Sequence, residues 1–332
     1  MTLVELMVGL VIGLFVVAVM GSVYIGSRTT FAAQESTGRV QENGRFAMDA
    51  ISQDLRMSGF RGCLGQSAVV NTLNTPNAAL YDFGQPVWGS RSTSGAWSPA
   101  LDAVIGGLSP SADGDVLVVR RPAGVAWALI GEMASTSAVL SITPTANFVQ
   151  GDLLMVADCV GAAVLQATNA APGTGGSIDH QPAVAGVVPG VSTANLGRAF
   201  ANDARVWRMQ TEVYYLAGSA RHTGQTALWV YRNPTYGEAQ KTELVTGVER
   251  MAFTFGLDTD GDLSADRFAS ADGVANWAQV VSARVELLLV GNLETRTTKA
   301  QPYTFNGSTT TPTDGRPRTV MSTLVTLRNA LP

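Results

Sequence analysis

Charge is scarce in this sequence, and basic runs are absent. Charged residues make up 14% of the 332 residues, and the net charge is −4. Recognition of nucleic-acid phosphates needs clustered Lys and Arg, so the composition gives no support for a nucleic-acid partner. The hydrophobic content of 46% indicates instead a chain that can bury a large core.

Cysteine and histidine are also scarce, with two residues of each. Cys63 and Cys159 have neither C-x-x-C nor zinc-ligand spacing, and His180 and His222 lie far from both in the sequence. No H-E-x-x-H, G-x-S-x-G, P-loop or G-x-G-x-x-G motif occurs. We therefore expect a protein that is not an enzyme, with an acid–base pair outside any motif as the open alternative.

No charged residue occurs from Leu6 to Ser27, and no proline precedes Pro76. As a helix this uncharged segment spans about 33 Å, enough to cross the hydrocarbon core of a bilayer. No basic residue precedes it and no A-x-A-like site ends it, so the pattern favours a retained anchor over a cleaved signal peptide. The segment predicts a single membrane-spanning helix.

The helix is predicted to continue beyond the membrane as an amphipathic one. Its apolar residues recur at helical spacing, at Val40, Ala47, Ile51 and Leu55. Continued to about Gly59 it would be roughly 90 Å long, so its second half must lie against a head. We predict a transmembrane or filament-core helix over residues 1–28, its amphipathic continuation over 29–60 and a β-rich head over 61–332.

Short strand-like runs separated by turn residues fill most of the head. Two segments, about 65–114 and 168–200, are rich in small and turn-forming residues and are predicted to be loops. The predicted strands lie at 115–120, 152–157, 162–166, 205–209, 211–216, 227–231, 251–255, 280–290 and 321–327. The fold class is therefore α+β, with a long N-terminal helix packed on a mostly antiparallel β head with long loops.

Glu5 is the one charge before Arg28. A carboxylate within a spanning helix costs free energy unless it has a partner, so Glu5 is a candidate functional residue. Its local alternative is a capping box, because Thr2-x-x-Glu5 has the required spacing. Gly9 and Gly13 have the spacing that lets helices approach closely in lipid, although glycine is common in such helices.

The two cysteines lie beyond the anchor, where an even count in an exported head favours a disulfide between Cys63 and Cys159. Such a bond would join the end of the long helix to the sheet. The alternative is two buried free thiols that act as small apolar side chains.

Four carboxylates in the segment 257–267 have the 1, 3, 5, 9 spacing of a calcium-binding loop. They are Asp258, Asp260, Asp262 and Asp266. Leu263 stands where the EF-hand has Gly, and Ala269 stands where it has the bidentate Glu. Calcium is the one cofactor that the sequence predicts, with a solvated Asp/Gly turn as the alternative.

The N-terminal residues Thr2-Leu-Val-Glu-Leu-Met-Val8, followed by an apolar helix, resemble the mature N-terminus of type IV pilins and type II secretion pseudopilins. Met1 stands where that family usually has Phe. Further segments are similar to PilW-type minor pilins: Ser58-Gly-Phe-Arg-Gly-Cys63, Asp115-Val-Leu-Val-Val-Arg-Arg121, Asp158-Cys159, Glu243-Leu-Val-Thr-Gly-Val248, Trp277 and Thr326-Leu-Arg-Asn329.

The resemblance implies that prepilin peptidase processes the chain before Met1 and methylates its amine, and that Glu5 pairs with the N-terminus of a neighbouring subunit. It implies a pilin-like fold and the function of a minor pilin, which primes type IV pilus assembly and is located in the tip complex. The expected partners are other minor pilins, the major pilin and a large non-pilin tip adhesin. The expected location is the inner membrane, with a periplasmic head, before assembly and the pilus tip afterwards.

Two other functions stay open. A J-type pseudopilin of type II secretion is the near relative, and it resembles this chain mainly in the helix and the overall plan. The other is a membrane-tethered head for calcium-dependent binding or adhesion.

Overall fold

The computed structural model describes residues 2–65, 68–93, 95–235, 238–291 and 300–330. Its dominant element is one helix, α1 (Leu3–Met57). The side-chain hydroxyl of Ser58 donates to the Leu55 carbonyl at 2.7 Å, and Gly59 follows at a φ of +69°, which glycine adopts without steric cost. The helix therefore ends close to the predicted position.

The two halves of α1 lie in different surroundings. Residues 2–32 are exposed, and the first buried side chain is that of Ser36. From there, one stripe of the helix is buried against the head, as the helical spacing predicts. The buried stripe consists of Ser36, Val40, Gly44, Ala47, Met48, Ile51, Ser52, Asp54 and Leu55.

The rest of the described chain consists of strands joined by turns and loops, with one short α-helix, α2 (Ala103–Gly106), and three short 3-10 helices. In chain order the strands are β1 (Val69–Asn71), β2 (Val87–Thr93), β3 (Ala96–Ser98), β4 (Val116–Ala128), β5 (Leu140–Ser141), β6 (Leu153–Ala157), β7 (Ala162–Gln166), β8 (Ser177–Ile178), β9 (Arg205–Gly218), β10 (Thr226–Thr235), β11 (Glu238–Thr246), β12 (Val248–Leu257), β13 (Arg267–Ser270), β14 (Val280–Val290), β15 (Tyr303–Phe305), β16 (Ser308–Thr310) and β17 (Arg318–Thr326).

The larger sheet is organised around β9. One edge of β9 pairs with β4 over most of its length, while the other edge pairs first with β6 and then with β10. The path through the sheet runs β1-β7-β6-β9-β4-β2-β3, and β11 extends it beyond β10. The β1–β7 pair is parallel and the other pairs of this sheet are antiparallel, which agrees with the mostly antiparallel head that the sequence predicts.

A second antiparallel sheet has the order β13-β12-β14-β17. It packs with α1 and with β4, β9 and β10 of the first sheet around one hydrophobic core. Side chains from the helix, from β4 and β9 and from β12 and β14 meet there, among them Ile51, Leu55, Val119, Leu216, Phe253, Phe255, Val285 and Leu287. The second half of α1 is thus a structural part of the head.

The segment 65–114, predicted as a loop, is more ordered than expected. It contains β1, β2, β3 and α2, and Val87 and Ile105 are core residues within it. These strands are short and rich in polar residues, so their periodicity is too weak to be recognised in the sequence. The other predicted loop, 168–200, contains only the two-residue strand β8 among its described residues.

We expect Leu55→Ala to lower the free energy of unfolding of the head by about 2–5 kcal/mol. Leu55 lies on the helix and is wholly buried in the core that the helix forms with both sheets. Phe46→Ala on the same helix is the control, since Phe46 is 54% exposed and its loss should change the value by less than about 1 kcal/mol. All six Trp residues lie beyond residue 87, so tryptophan emission during denaturant titration of the detergent-solubilised chain reports on the head. Equal losses in the two variants would contradict this packing.

Candidate functional site

The first turn of α1 is closed by a capping box. The side chain of Thr2 accepts the Glu5 N–H at 3.4 Å, and the Glu5 Oε2 accepts the Thr2 N–H at 2.7 Å. Thr2 itself is extended, with φ −85° and ψ 152°, as a capping residue should be. The local interaction that the sequence offered as an alternative is therefore present. Met1, whose amine would be the partner of Glu5 in another subunit, lies outside the described residues.

The membrane-length part of α1 presents apolar side chains in every direction. Leu3, Phe15 and Tyr24 are 77%, 71% and 67% exposed. Water solvates such a surface poorly over so large an area, so it needs lipid or other apolar helices around it. By length and composition this helix is able to cross a membrane.

Gly9 and Gly13 lie one turn apart within this exposed surface. A Cβ atom added at either position would meet no heavy atom within 4 Å. Within the folded chain, a larger side chain would therefore fit at either position. The close-packing role of Gly9 and Gly13 stays a prediction about contacts with other helices.

The end of α1 is fixed to the larger sheet by buried charges. Asp54 of the helix is 7% exposed, and its Oδ1 lies 2.7 Å from Nε of Arg121 on β4. Arg121 Nη2 lies 2.7 Å from Glu212 Oε1 on β9, and Arg232 Nε on β10 lies 3.1 Å from the same oxygen. The Tyr214 hydroxyl lies 2.5 Å from Asp54 Oδ2 and 3.1 Å from Glu212 Oε2. We call these five residues the junction network.

Asp54 and Glu212 are the two carboxyl groups of this network. Ionising both costs free energy, because two like charges would then lie close together. Burial, reinforced by Glu212, raises the pKa of Asp54 to about 7, although Arg121 and Tyr214 oppose the rise. Burial also acts to raise the pKa of Glu212, but the hydrogen bond with Asp54 and the charges of Arg121 and Arg232 outweigh it and hold that pKa below its usual range. Below about pH 7 the pair therefore binds one proton, chiefly on Asp54.

The same helix end has two further attachments. Cys63, six residues beyond Met57, forms a disulfide with Cys159 in the turn between β6 and β7, as the sequence predicts. Asn329, in the terminal segment that carries part of the family resemblance, donates to the carbonyls of Arg56 at 2.8 Å and Ser58 at 3.3 Å. The last carbonyls of α1 thus have side-chain partners.

The predicted calcium loop brings three of its four carboxylates together. Oxygens of Asp258, Asp260 and Asp262 lie within 4.8 Å of one another. Asp266 instead accepts hydrogen bonds from the backbone and side chain of Thr259, both at 2.7 Å, and these bonds lower its pKa. The loop therefore differs from the predicted four-carboxylate set, because Thr259 engages the fourth member.

The backbone of this loop resembles a calcium loop more closely than its sequence does. Leu263 has a φ of +71°, the left-handed conformation that glycine supplies at this position of an EF-hand. Asp258 accepts the N–H groups of Gly261 at 2.6 Å and Leu263 at 2.9 Å, which shapes the turn without a cation. Both a solvated turn and a three-carboxylate calcium site are consistent with this geometry.

His180, one of the two histidines, is wholly buried. Its Nε2 lies 3.0 Å from the Ala194 carbonyl, and burial lowers its pKa. It packs within the 168–200 segment as a neutral side chain.

Fold and site together define an α+β protein with an apolar N-terminal helix of membrane-spanning length and a mostly antiparallel head. The model of the family described as Type IV Pilus-assembly protein W, PilW, matches residues 213–329, from the second half of β9 to the end of the described chain after β17. The match confirms the resemblance to a PilW-type pilus protein that the sequence predicts, and indicates a type IV pilus-associated protein. No curated protein and no solved structure matches the chain.

Sequence reasoning missed the junction network. One signal was available, since Asp54 follows Ala47 by seven residues and Ile51 by three, and so falls on the buried stripe. A carboxylate at such a position predicts a buried partner. The identity of that partner depended on the pairing of β4, β9 and β10, which no local pattern specifies.

We expect the free energy of unfolding of the head to fall by about 2 kcal/mol from pH 5 to pH 8, in part because of Asp54. Its pKa is about 7 in the folded chain and near 3.9 when unfolded, so between these values the folded state binds the proton more tightly and stability is lost as pH rises. Asp54→Asn, which resembles the protonated acid, should flatten this dependence. Asp49→Asn, an exposed position on the same helix, should leave the slope unchanged. Denaturant titration at several pH values measures both, and an unaltered slope in Asp54→Asn would show that Asp54 is already ionised at pH 5.

If the aspartate loop binds calcium, saturating Ca²⁺ should stabilise the head by about 1–3 kcal/mol and raise its melting temperature, because the ion binds only the folded state. Asp260→Ala should abolish the increase, and Asp203→Ala, an exposed aspartate elsewhere, should retain it. The melting temperature is followed by tryptophan emission with calcium or with chelator. An identical melting temperature under both conditions would leave the solvated turn as the explanation.

Proposed function

We propose that the chain is a minor pilin, a non-catalytic structural subunit that primes type IV pilus assembly and is located in the tip complex. The observation that supports this most directly is the exposed apolar half of α1. Thirty-one residues, 2–32, are exposed in the folded chain, while the head buries its own core and does not need them. A surface of this kind belongs between lipids or between the helices of other subunits.

Partners and location follow from that proposal. Before assembly the helix lies in the inner membrane with the head in the periplasm, and afterwards the same helix packs with those of other minor pilins and the major pilin. Prepilin peptidase is the expected processing enzyme, and a large non-pilin adhesin is the expected companion at the tip. The PilW match supports association with pilus components as a class.

A J-type pseudopilin of type II secretion is the alternative within the same architecture, because the helix and head plan would serve either filament. Among functions of another class, the three clustered carboxylates favour a calcium-dependent binding head. The calcium titration above tests that property separately from assembly.

Glu5 provides the sharpest test of the assembly role, because its capping and pairing functions respond differently to substitution. Glu5→Leu removes the carboxylate and a polar cost to membrane insertion, so we expect normal insertion and loss of filament incorporation. Glu5→Gln retains an acceptor for the Thr2 N–H, as capping boxes allow, but has no charge to pair with an amine. Thr2→Ala removes the other half of the box and keeps the charge.

If Glu5 pairs with the N-terminus of a neighbouring subunit, neither Glu5 variant should restore pili to cells lacking the chain. Thr2→Ala, which keeps the charge, should restore them. A purely local role predicts the reverse for Glu5→Gln and Thr2→Ala. Surface pili are counted by electron microscopy, and membrane fractionation confirms equal insertion. Normal piliation by both Glu5→Leu and Glu5→Gln would contradict the pairing role of Glu5, and normal piliation of cells lacking the chain would contradict the proposed function.

A further inference from the structure

An open cleft lies beside the end of α1 that is farthest from the membrane helix. Its volume is about 520 Å³, within the range of small-molecule sites. The Gly59 N–H donates to the Arg120 carbonyl at 3.2 Å and the Arg120 N–H donates to the Pro86 carbonyl at 2.9 Å, so the floor of the cleft adjoins the helix end. With 55 residues in α1, this end is about 80 Å along the helix from its start.

Two indoles line the cleft. Trp88 on β2 and Trp277 before β14 are both half-buried, with ring centroids 6.2 Å apart and planes inclined at 40°. Trp277 is held from behind by an edge contact with core residue Phe255, at 4.9 Å between centroids. Partly exposed, rigidly supported aromatic faces are costly to leave in water and are typical of binding surfaces.

Two carboxylates and one cation line the cleft, which gives it a net charge of −1. Asp82 and Asp102 contribute carboxylates from its wall, and Arg120 contributes a cation that is 2% exposed in its floor. Arg120 donates from Nη1 to the Gln85 carbonyl at 2.6 Å and from Nη2 to the Ala79 carbonyl. Burial lowers the pKa of Arg120 to about 10, and the nearby charge of Asp82 opposes that effect. The two carboxylates outnumber the single buried cation, so the cleft disfavours an anionic ligand.

A ligand suited to this cleft must therefore not be an anion, must offer hydroxyl donors to Asp82 and Asp102, and must have an apolar face for the indoles. A pyranose meets all three conditions, because its hydroxyl groups donate to carboxylates while its C–H face carries partial positive charge toward the aromatic rings. We propose that this cleft binds a neutral saccharide unit. This binding would be an activity of the head that is independent of the assembly role proposed for α1.

The test uses the full chain in a zwitterionic detergent, since the sugar headgroup of a maltoside would compete for the cleft. Ligand-observed NMR is measured with glucose, galactose, mannose, N-acetylglucosamine, N-acetylgalactosamine and their common disaccharides. Tetralysine, sialic acid and inorganic phosphate serve as charged probes. We expect at least one neutral saccharide to bind with a Kd of about 10 mM or tighter, and the charged probes not to compete with it.

Two variants locate the binding. Trp88→Ala removes one indole, and Ala275→Arg places a bulky side chain at an exposed position of the cleft without altering the core. Both should weaken saccharide binding at least tenfold. The matched controls are Trp127→Ala, a half-buried tryptophan in another cluster, and Ala134→Arg, an exposed alanine elsewhere. They should bind as the unchanged chain does.

Ala275→Arg keeps the test decisive if Trp88→Ala does not fold, which the melting temperature reports. The proposal is wrong if no neutral saccharide binds, if tetralysine or an anion is the sole or competing ligand, or if Ala275→Arg binds saccharide as tightly as Ala134→Arg. The piliation of the Glu5 variants tests the assembly role and not saccharide binding, because those variants leave the cleft intact.

Discussion

The contact between the second half of α1 and the two sheets is the constraint on which the rest of the structure depends. A single continuous helix presents apolar side chains outward over its first thirty or so residues and packs into a protein core over the next twenty. The change occurs near Ser36, where one stripe becomes buried while the helix itself continues without a break. Because the stripe fills the core between the sheets, the head cannot form its packed interior without that part of the helix. The helix and the head therefore belong to one chain and share one packed core.

The PilW match falls on the part of the head that holds this contact. Residues 213–329 include β11, β14 and β17, three of the strands against which α1 packs, as well as Asn329 at the helix end. The strands β1, β6 and β7 and the segments predicted as loops lie outside the match. The saccharide cleft spans both parts, because Trp277 lies inside the match and Trp88 outside it.

Periodicity made the helix and most long strands predictable, because apolar residues that recur every 3.6 or every two residues can be recognised in a short stretch of sequence. Even the disulfide followed from the cysteine count. The junction network and the cleft did not, since Asp54, Arg121 and Glu212 are brought together only by the pairing of β4 with β9 and by the docking of α1. The calcium loop shows the opposite error: the spacing of the aspartates was correct in the sequence, yet Thr259 binds Asp266. Local patterns specify elements, whereas the contacts between elements decide which side chains meet.

The disulfide has a mechanical consequence. If the N-terminal half of α1 is held in an assembly while the head is pulled, tension enters the head through the buried stripe that begins at Ser36. Once that packing yields, tension enters at the C-terminal end of the helix. The bond from Cys63 to Cys159 provides a covalent bypass around the intervening chain, whose ends are 96 residues apart in sequence. Tension reaching Cys63 passes directly into the turn between β6 and β7, so the enclosed segment, including β2 and most of the cleft wall, is not stretched. The outer surface of the head would keep its shape under load even if the helix contact began to yield.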